Sequence, residues 1–246
     1  MKLSNRMKAV AAMVTNGSRL ADIGTDHAFV PIFLLQKQII PWAIASDINE
    51  GPLERAREHI REAGLEEQIS IRLGDGLSRV SPGEADSILI AGMGGELILH
   101  ILEEGEAVCR QAGELILQPQ SEIHKVRRYL REHDYRLVDE DMILEDGKYY
   151  PMMRAVPVES LDWDKNMSPE AVETCDIYGP MLLKDGNQVL RKYLVREHRI
   201  NQGLLTRLSR VEETPAIRER KEVLAAKLRC NELAYSLMGE VKNAGL

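Results

Sequence analysis

Five short apolar runs recur through the first half of the chain, and their spacing restricts the folds open to it. They are Arg19–Ile23, Ala43–Asp47, Ile69–Leu73, Ser87–Ala91 and Glu114–Gln118. Runs this short and this apolar read as strands covered on both faces. Helical segments lie between them: Val30–Gln38, Pro52–Ala63 and Gly95–Ala112. Pro52 suits the first turn of a helix, and Gly64 suits its end. A strand every ~25 residues, separated by helices, builds βαβ units and an open α/β sheet. A further helix, Ser121–His133, is predicted, then strand-like runs Tyr135–Glu145 and Tyr149–Val156 around Asp146-Gly147. Asp-Gly between apolar runs is a hairpin signal, so the parallel sheet is expected to end in an antiparallel pair.

The character of the chain changes after the linker-like stretch Pro157–Pro169, and a domain boundary is expected after Ser160, giving 1–160 and 161–246. From Asn187 to Val211, Leu190, Leu194, Ile200, Leu204, Leu208 and Val211 recur at coiled-coil-like spacing. Arg191, Lys192, Arg196, Arg199, Arg207 and Arg210 fall in the adjoining arc. Thr214-Pro215 breaks the helix, and a second amphipathic run, Ile217 to Met238, carries Leu224, Leu228 and Tyr235 in step. Two helices and a short turn predict an antiparallel helical hairpin.

The 246 residues carry a net charge of −7, which at first sight speaks against nucleic acid. The distribution weakens that objection. Residues 1–160 hold 18 Lys and Arg against 26 Asp and Glu, whereas Lys184–Arg210 holds seven bases and two acids. No apolar run approaches the ~20 residues of a membrane span. Three isolated cysteines, Cys109, Cys175 and Cys230, form no CxxC pair, which argues against a disulfide framework or a metal site and fits a reducing cytoplasm. No membrane association and no bound metal are expected, and the working form is expected to be a monomer.

Candidate functional residues cluster at the ends of the predicted strands, where ligands sit in open α/β sheets. Leu20-Ala21-Asp22-Ile23-Gly24-Thr25-Asp26-His27 closes the first strand with a single glycine, not the G-x-G-x-x-G of a dinucleotide site. Asp26 would repel a pyrophosphate but tolerate a cationic or zwitterionic ligand such as S-adenosylmethionine. Asp47 ends the second strand, where an acid can accept both ribose hydroxyls of a nucleoside. Gly74-Asp75-Gly76 follows the third strand and would let Asp75 approach a flat ring and accept from its amine. Ala91-Gly92-Met93-Gly94-Gly95 follows the fourth; three glycines in four positions fit a backbone that passes close to a substrate. Each block also has an ordinary reading as a turn or helix cap. Their coincidence at successive strand ends is what singles them out. His59, His100, His124, His133 and His198 lie in helical stretches and read as solvated or satisfied side chains.

The blocks DIGTDHAFVP (Asp22–Pro31), ASDIN (Ala45–Asn49), GDG (Gly74–Gly76) and GMGGE (Gly92–Glu96) resemble those of the bacterial tRNA adenine-22 N1-methyltransferases. The resemblance runs in order and covers nearly the whole chain. It implies a Rossmann-like seven-stranded methyltransferase sheet with a C-terminal antiparallel, coiled-coil-like helical domain. It also implies S-adenosylmethionine as cofactor and tRNA as partner. Asp22, Gly24, Thr25 and His27 would line the methionine end; Asp47 would hold the ribose with Ile48 beside the adenine; Asp75 and Gly76 would hold the adenine ring. Gly92, Met93 and Gly94 would face the methyl group and the target base, with Asp26 as a carboxylate near developing charge. The six basic residues of the tail would meet RNA. Left open by the residues themselves are a methyltransferase acting on another RNA, a protein or a small molecule, and a non-enzymatic RNA- or partner-binding module. A nicotinamide oxidoreductase is disfavoured by the missing glycines.

Overall fold

A computed structural model describes residues 3–161 and 166–238. Backbone contacts divide the chain into two compact units, Met1–Leu161 and Asp162–Leu246. The first opens with helix α1 (Asn5–Ala12) and then alternates β1 (Leu20–Ile23), α2 (Phe29–Gln36), β2 (Ala43–Asp47), α3 (Glu50–Ala63) and β3 (Ile69–Leu73). It continues with β4 (Ser87–Met93), α4 (Gly95–Glu104), α5 (Glu106–Gln111), β5 (Glu114–Pro119), α6 (Ile123–Glu132), β6 (Tyr135–Glu145) and β7 (Lys148–Pro157).

The seven strands lie in the order β3-β2-β1-β4-β5-β7-β6. β1 to β5 are parallel, and β7 runs antiparallel to both β5 and β6. Side chains alternate between two buried layers, as the strand pleat requires. Ala21, Ile23, Ile44, Ile88, Ile90, Leu115 and Leu117 face one layer with Ile98, Leu102, Val126 and Leu130 from helices. Leu20, Ala43, Ala45, Leu89 and Ile116 face the other with Val10, Leu34, Ala56 and Ile60. Covering on both faces is why the inner strands are mostly apolar. Asp146 and Gly147 take the hairpin turn with φ of 49° and 75°, the left-handed geometry that twisted hairpins favour.

Three features depart from the sequence reading. Helix α1 replaces an unassigned N-terminal stretch; Ser4 caps it by accepting from the Met7 N–H at 3.2 Å. The expected helix Gly95–Ala112 is two helices that meet at Gly105. A Cβ there would stand 2.3 Å from Leu77 Cδ1 and 2.9 Å from the Ile101 carbonyl, so the glycine lets the chain bend against the loop after β3. The helix predicted from Ser121 starts at Ile123, because Glu122 takes a left-handed φ of 49°.

The second unit contains α7 (Pro169–Tyr178), α8 (Pro180–Lys184), α9 (Gln188–Leu208) and α10 (Pro215–Leu237). Thr214 caps α10 and Pro215 occupies its first turn. α9 and α10 form the antiparallel hairpin: Asn231 donates to the Leu194 carbonyl at 3.1 Å, and Arg191 lies over Tyr235 at 5.4 Å. The buried seam of α9 is Leu190, Leu194 and Asn201, with Leu205 and Leu208 half-buried. Ile200, Leu204 and Val211, expected in the seam, are exposed by 47%, 36% and 51%. Two buried asparagines, Asn201 and Asn231, occupy core positions that hydrophobicity alone assigns elsewhere. At ~100° per residue, Lys192, Arg196, Arg199 and Arg207 therefore lie on the side away from the seam rather than beside it. Tyr235, read as in step with the second helix's core, is likewise exposed.

The sheet's hairpin edge is tied down by a buried ion pair. Arg127 of α6 donates to Glu140 of β6 at 2.7 Å, with both side chains at most 2% exposed. Removing one partner of a buried pair costs more than replacing both with apolar side chains. Arg127→Met is expected to cost about 3–5 kcal/mol in urea unfolding, and Arg127→Met with Glu140→Leu to recover most of it.

Candidate active site

The strand order reverses between β1 and β4, since successive crossovers lead from β1 toward β3 on one side and from β4 toward β5 on the other. The carboxyl ends of these two strands therefore open a crevice that no connection closes. Gly24 and Met93 meet in it. Gly24 has a φ of +72°, which favours glycine, and a Cβ there would stand 1.9 Å from Met93 Cε and displace the end of that flexible side chain.

Three turns on this rim are hooked to one another. The Ser46 carbonyl at the end of β2 accepts from the N–H groups of Gly24 and Thr25 at 2.8 and 2.9 Å. The Asp47 carbonyl accepts from the Gly74 N–H at 3.0 Å. The glycine turn, the acid of β2 and the GDG turn thus form one row across β1, β2 and β3. Asp47 Oδ1 accepts from the Asn49 N–H at 2.7 Å, a local turn that leads into α3 without capping it, and its other oxygen has no protein partner among the described residues. Ile48, next to it, is 59% exposed, an apolar side chain held at the rim. Asp75 is exposed, and Gly76, with φ of +48°, packs against Ile101.

Asp22 sits beneath this row. Its carboxylate is 7% exposed and accepts from Thr25 Oγ1 at 2.6 Å. Burial pushes its pKa up to about 6; the Thr25 bond opposes the shift, and the charges of Asp47 and Asp26 add to it.

His27 and Ala28 follow with φ of 63° and 55°. Consecutive non-glycine residues in the left-handed region store strain. His27 Nδ1 is buried without a hydrogen-bond partner, and its ring stacks on Phe29 at 4.9 Å and lies 5.1 Å from His59. Asp26 points to solvent, 3.2 Å from His27 Nε2 and 3.8 Å from Arg55. The structure thus brings Gly24, Thr25, Asp22 and Met93 together, and places Asp26 beside His27 and Arg55 on the α2–α3 side of the turn.

At the other end of the crevice, Gly92 takes a φ of +81° where a bulge shifts the register of β4 against β5. Gly94 caps α4, and a Cβ on Gly95 would stand 2.5 Å from the Ser121 carbonyl, so this glycine lets α4 start against the end of β5. Arg6, a neighbour of Gly92, and its partner Gln118 escaped the sequence reading as site residues. Arg6 of α1 reaches Gln118 of β5, a contact with no local signal in the sequence. Gln118, fully buried, does have one: it is a polar residue closing an apolar strand. Among the described residues no cluster of histidine, cysteine, aspartate and glutamate could hold a metal ion, and no helix is long and apolar enough to cross a membrane.

A family model described as a methyltransferase domain matches residues 3–153. The tRNA (adenine(22)-N(1))-methyltransferase of Bacillus subtilis (strain 168) is 36% identical over 228 residues, covering 93% of this chain and 94% of that one. The chain belongs to this methyltransferase family. The solved structure of the B. subtilis enzyme superposes with a TM-score of 0.81 at 36% identity, over 96% of this chain and 99% of that chain. A Streptococcus pneumoniae protein solved in complex with S-adenosyl-L-methionine does so with a TM-score of 0.81 at 30% identity, over 95% and 99%. The seven-stranded sheet and C-terminal helices of this family member are the ones described above.

The buried acid of the methyltransferase sheet makes stability depend on pH. Its folded pKa, about 6, lies above the unfolded value, so the unfolded chain binds fewer protons and stability falls as pH rises through this range. Asp22→Asn removes the charge. The variant's advantage in urea unfolding is expected to grow by about 1 kcal/mol between pH 5 and pH 8. A difference that does not change with pH would show that Asp22 titrates normally.

Proposed function

We propose that the protein transfers a methyl group from S-adenosylmethionine to N1 of adenine 22 in tRNA. The observation that carries this reading is the linked row of strand ends beside the Gly24–Met93 contact, in a chain of this family. The residues present fit the cofactor. The buried, partnerless His27 Nδ1 and the positive φ of Gly24 beside Met93 support this reading. The uncapped first turn of α2 offers backbone N–H groups to a carboxylate. Asp22 and Thr25 would face the ammonium end with His27; Asp47 would accept the ribose hydroxyls through its unpartnered oxygen. Ile48 would cover one face of the adenine, and Asp75 with Gly76 would take its amine edge.

The cofactor supplies a methyl group already activated on a sulfonium. Adenine N1 carries a lone pair, so no base has to remove a proton before attack. The N–C bond forms as the C–S pair returns to sulfur, leaving an N1-methyladenine cation and S-adenosylhomocysteine. What remains for the chain is alignment, and Gly92, Met93 and Gly94 would shape the wall that holds the base in line. Asp26 would offset the positive charge growing on the base; its exposure and the nearby Arg55 temper that effect. The reading needs one copy of the chain, no metal and no membrane, and places the reaction in the cytoplasm.

Incubation of labelled S-adenosylmethionine with unmodified tRNA, mixed proteins and small metabolites tests this directly. Label is expected in tRNA, as N1-methyladenosine at position 22, and absent from a transcript carrying guanosine there. Asp26→Asn is expected to lower turnover about tenfold with cofactor affinity unchanged. Label in protein or metabolites, or on another atom, would refute the reading.

RNA affinity would come in part from Arg191, Lys192, Arg196, Arg199, Arg207 and Arg210 of α9 and the turn after it. Five of them are exposed, and Arg191 packs on Tyr235. Lys192→Glu with Arg199→Glu is expected to weaken tRNA binding at least tenfold and to lower its log–log salt slope by about 2. Unchanged binding would remove this face from the RNA site.

A further inference from the structure

Helix α1 brings a cation to the rim that the cofactor crevice does not use. Arg6 Nη1 donates to Gln118 Oε1 at 2.6 Å, and the guanidinium carbon lies 5.2 Å from the centre of the Tyr150 ring. Gln118 is fully buried, and its amide nitrogen donates to the Pro119 carbonyl at 3.2 Å, so both ends of that amide are committed. The Asn5 N–H donates to Glu145 Oε1 at 2.9 Å and fixes the start of α1 to the hairpin. The guanidinium is thus oriented from two sides.

Its position is set by the sheet. β5 and β7 pair with Leu117 opposite Met153, so Tyr150 falls past the carboxyl end of β5, on the same rim as the crevice. Arg6 Nη1 and Gln120 Nε2 lie 3.8 and 3.7 Å from the point where a Cβ on Gly92 would stand. Gly92 precedes Met93, whose methyl end covers Gly24. Arg6 therefore stands beyond Met93, on the side of the crevice away from Asp47 and Asp75.

The acceptor has to approach from that side, because the donor's ribose and adenine occupy the other. A target nucleotide drawn out of folded RNA brings its backbone phosphates to the rim as its base enters. The unit it meets is acidic, with eight more carboxylates than basic side chains in residues 1–160. A guanidinium stacked on the base would oppose the reaction, since N1-methyladenine is a cation. A guanidinium on the phosphate would not, and its planar fork matches phosphate oxygens. We propose that Arg6, held beside Gly92 by Gln118 and Tyr150, binds the phosphate of the nucleotide presented for methylation. Arg6 is then a positioning residue for the acceptor, and this inference rests on the tRNA-methylation reading.

The test uses the full chain, unmodified tRNA and three readouts: tRNA affinity across a salt series, the split between KM and kcat, and calorimetric affinity for S-adenosylhomocysteine. Arg6→Ala is expected to weaken tRNA binding about tenfold and to lower the salt slope by about 1. KM for tRNA rises in step, kcat stays within about threefold, and the affinity for S-adenosylhomocysteine is unchanged. Arg6→Lys restores most of the affinity and the slope, because a point charge still meets a phosphate. Should Arg6→Ala fail to fold, Arg6→Lys and Arg6→Gln carry the comparison: lysine keeps the slope and glutamine loses it. An Arg6→Ala protein with normal affinity and slope, a lysine variant no better than alanine or glutamine, or a fall in kcat at constant KM would each overturn the inference. If the wild-type chain methylates tRNA while Arg6 proves indifferent, only this inference falls. A wild-type chain that neither binds nor methylates tRNA removes both.

Discussion

The reversal of strand order between β1 and β4 is the constraint from which the site follows. Right-handed crossovers carry the chain away from this point in both directions, so the two strand ends are left uncovered by helices. A gap of that kind in a doubly covered sheet exposes backbone, and the chain satisfies most of it internally. Ser46 takes two N–H groups from the glycine turn, and Asp47 takes one from the next turn. Among the groups left without a protein partner, one oxygen of Asp47 and His27 Nδ1 belong to the turns that close β2 and β1. Their place on neighbouring turns fits the proposed donor, a zwitterion with a nucleoside end.

This arrangement has a thermodynamic cost. Asp22 holds a carboxylate with little access to water, and two further acids stand close enough to raise its pKa. His27 and Ala28 hold left-handed backbone angles without being glycine. Neither feature helps the sheet to fold, and stability elsewhere has to offset both. The continuous apolar layers on each face are where that stability resides. A site that strains its own scaffold is the usual mark of residues retained for a ligand rather than for packing.

The parallel core was legible because its signal is local and redundant. Each strand is a short, mostly apolar run because helices cover most of the sheet on both faces, and the Asp146-Gly147 turn encodes the hairpin. Asp22, Gly24, Asp47 and Asp75 were legible for a related reason: polar residues and glycines closing such runs have to lie at strand ends. The sequence could not show that Gly105 splits a helix, since the need for glycine comes from Leu77 in a distant loop. It misplaced the seam of α9 because one core position there is an asparagine, Asn201, and Ile200 and Leu204 competed for the same arc. Arg6 was invisible for the same tertiary reason. Its partners lie 112 residues or more along the chain, and nothing in an eight-residue helix announces them.

The placement of charge in the first unit follows from the proposed chemistry. Both the donor and the methylated base are cations, so a site that processes them gains from carboxylates nearby and loses from cations in contact with the base. Asp22, Asp26, Asp47 and Asp75 all occupy the turns of β1, β2 and β3. RNA, however, is a polyanion that such a surface repels at any distance short of the Debye length, ~10 Å at 0.1 M salt. The two demands are met together only if cations stand where phosphates pass and not where the base reacts. Arg6, past Met93 on the far side of the crevice, satisfies that condition within the catalytic unit. On the proposed reading, the exposed arginines of α9 would do so in a unit to which no reacting group is assigned. Acidity of the catalytic unit is on this view a requirement of N1 methylation, and the basic residues are distributed to restore the affinity it costs.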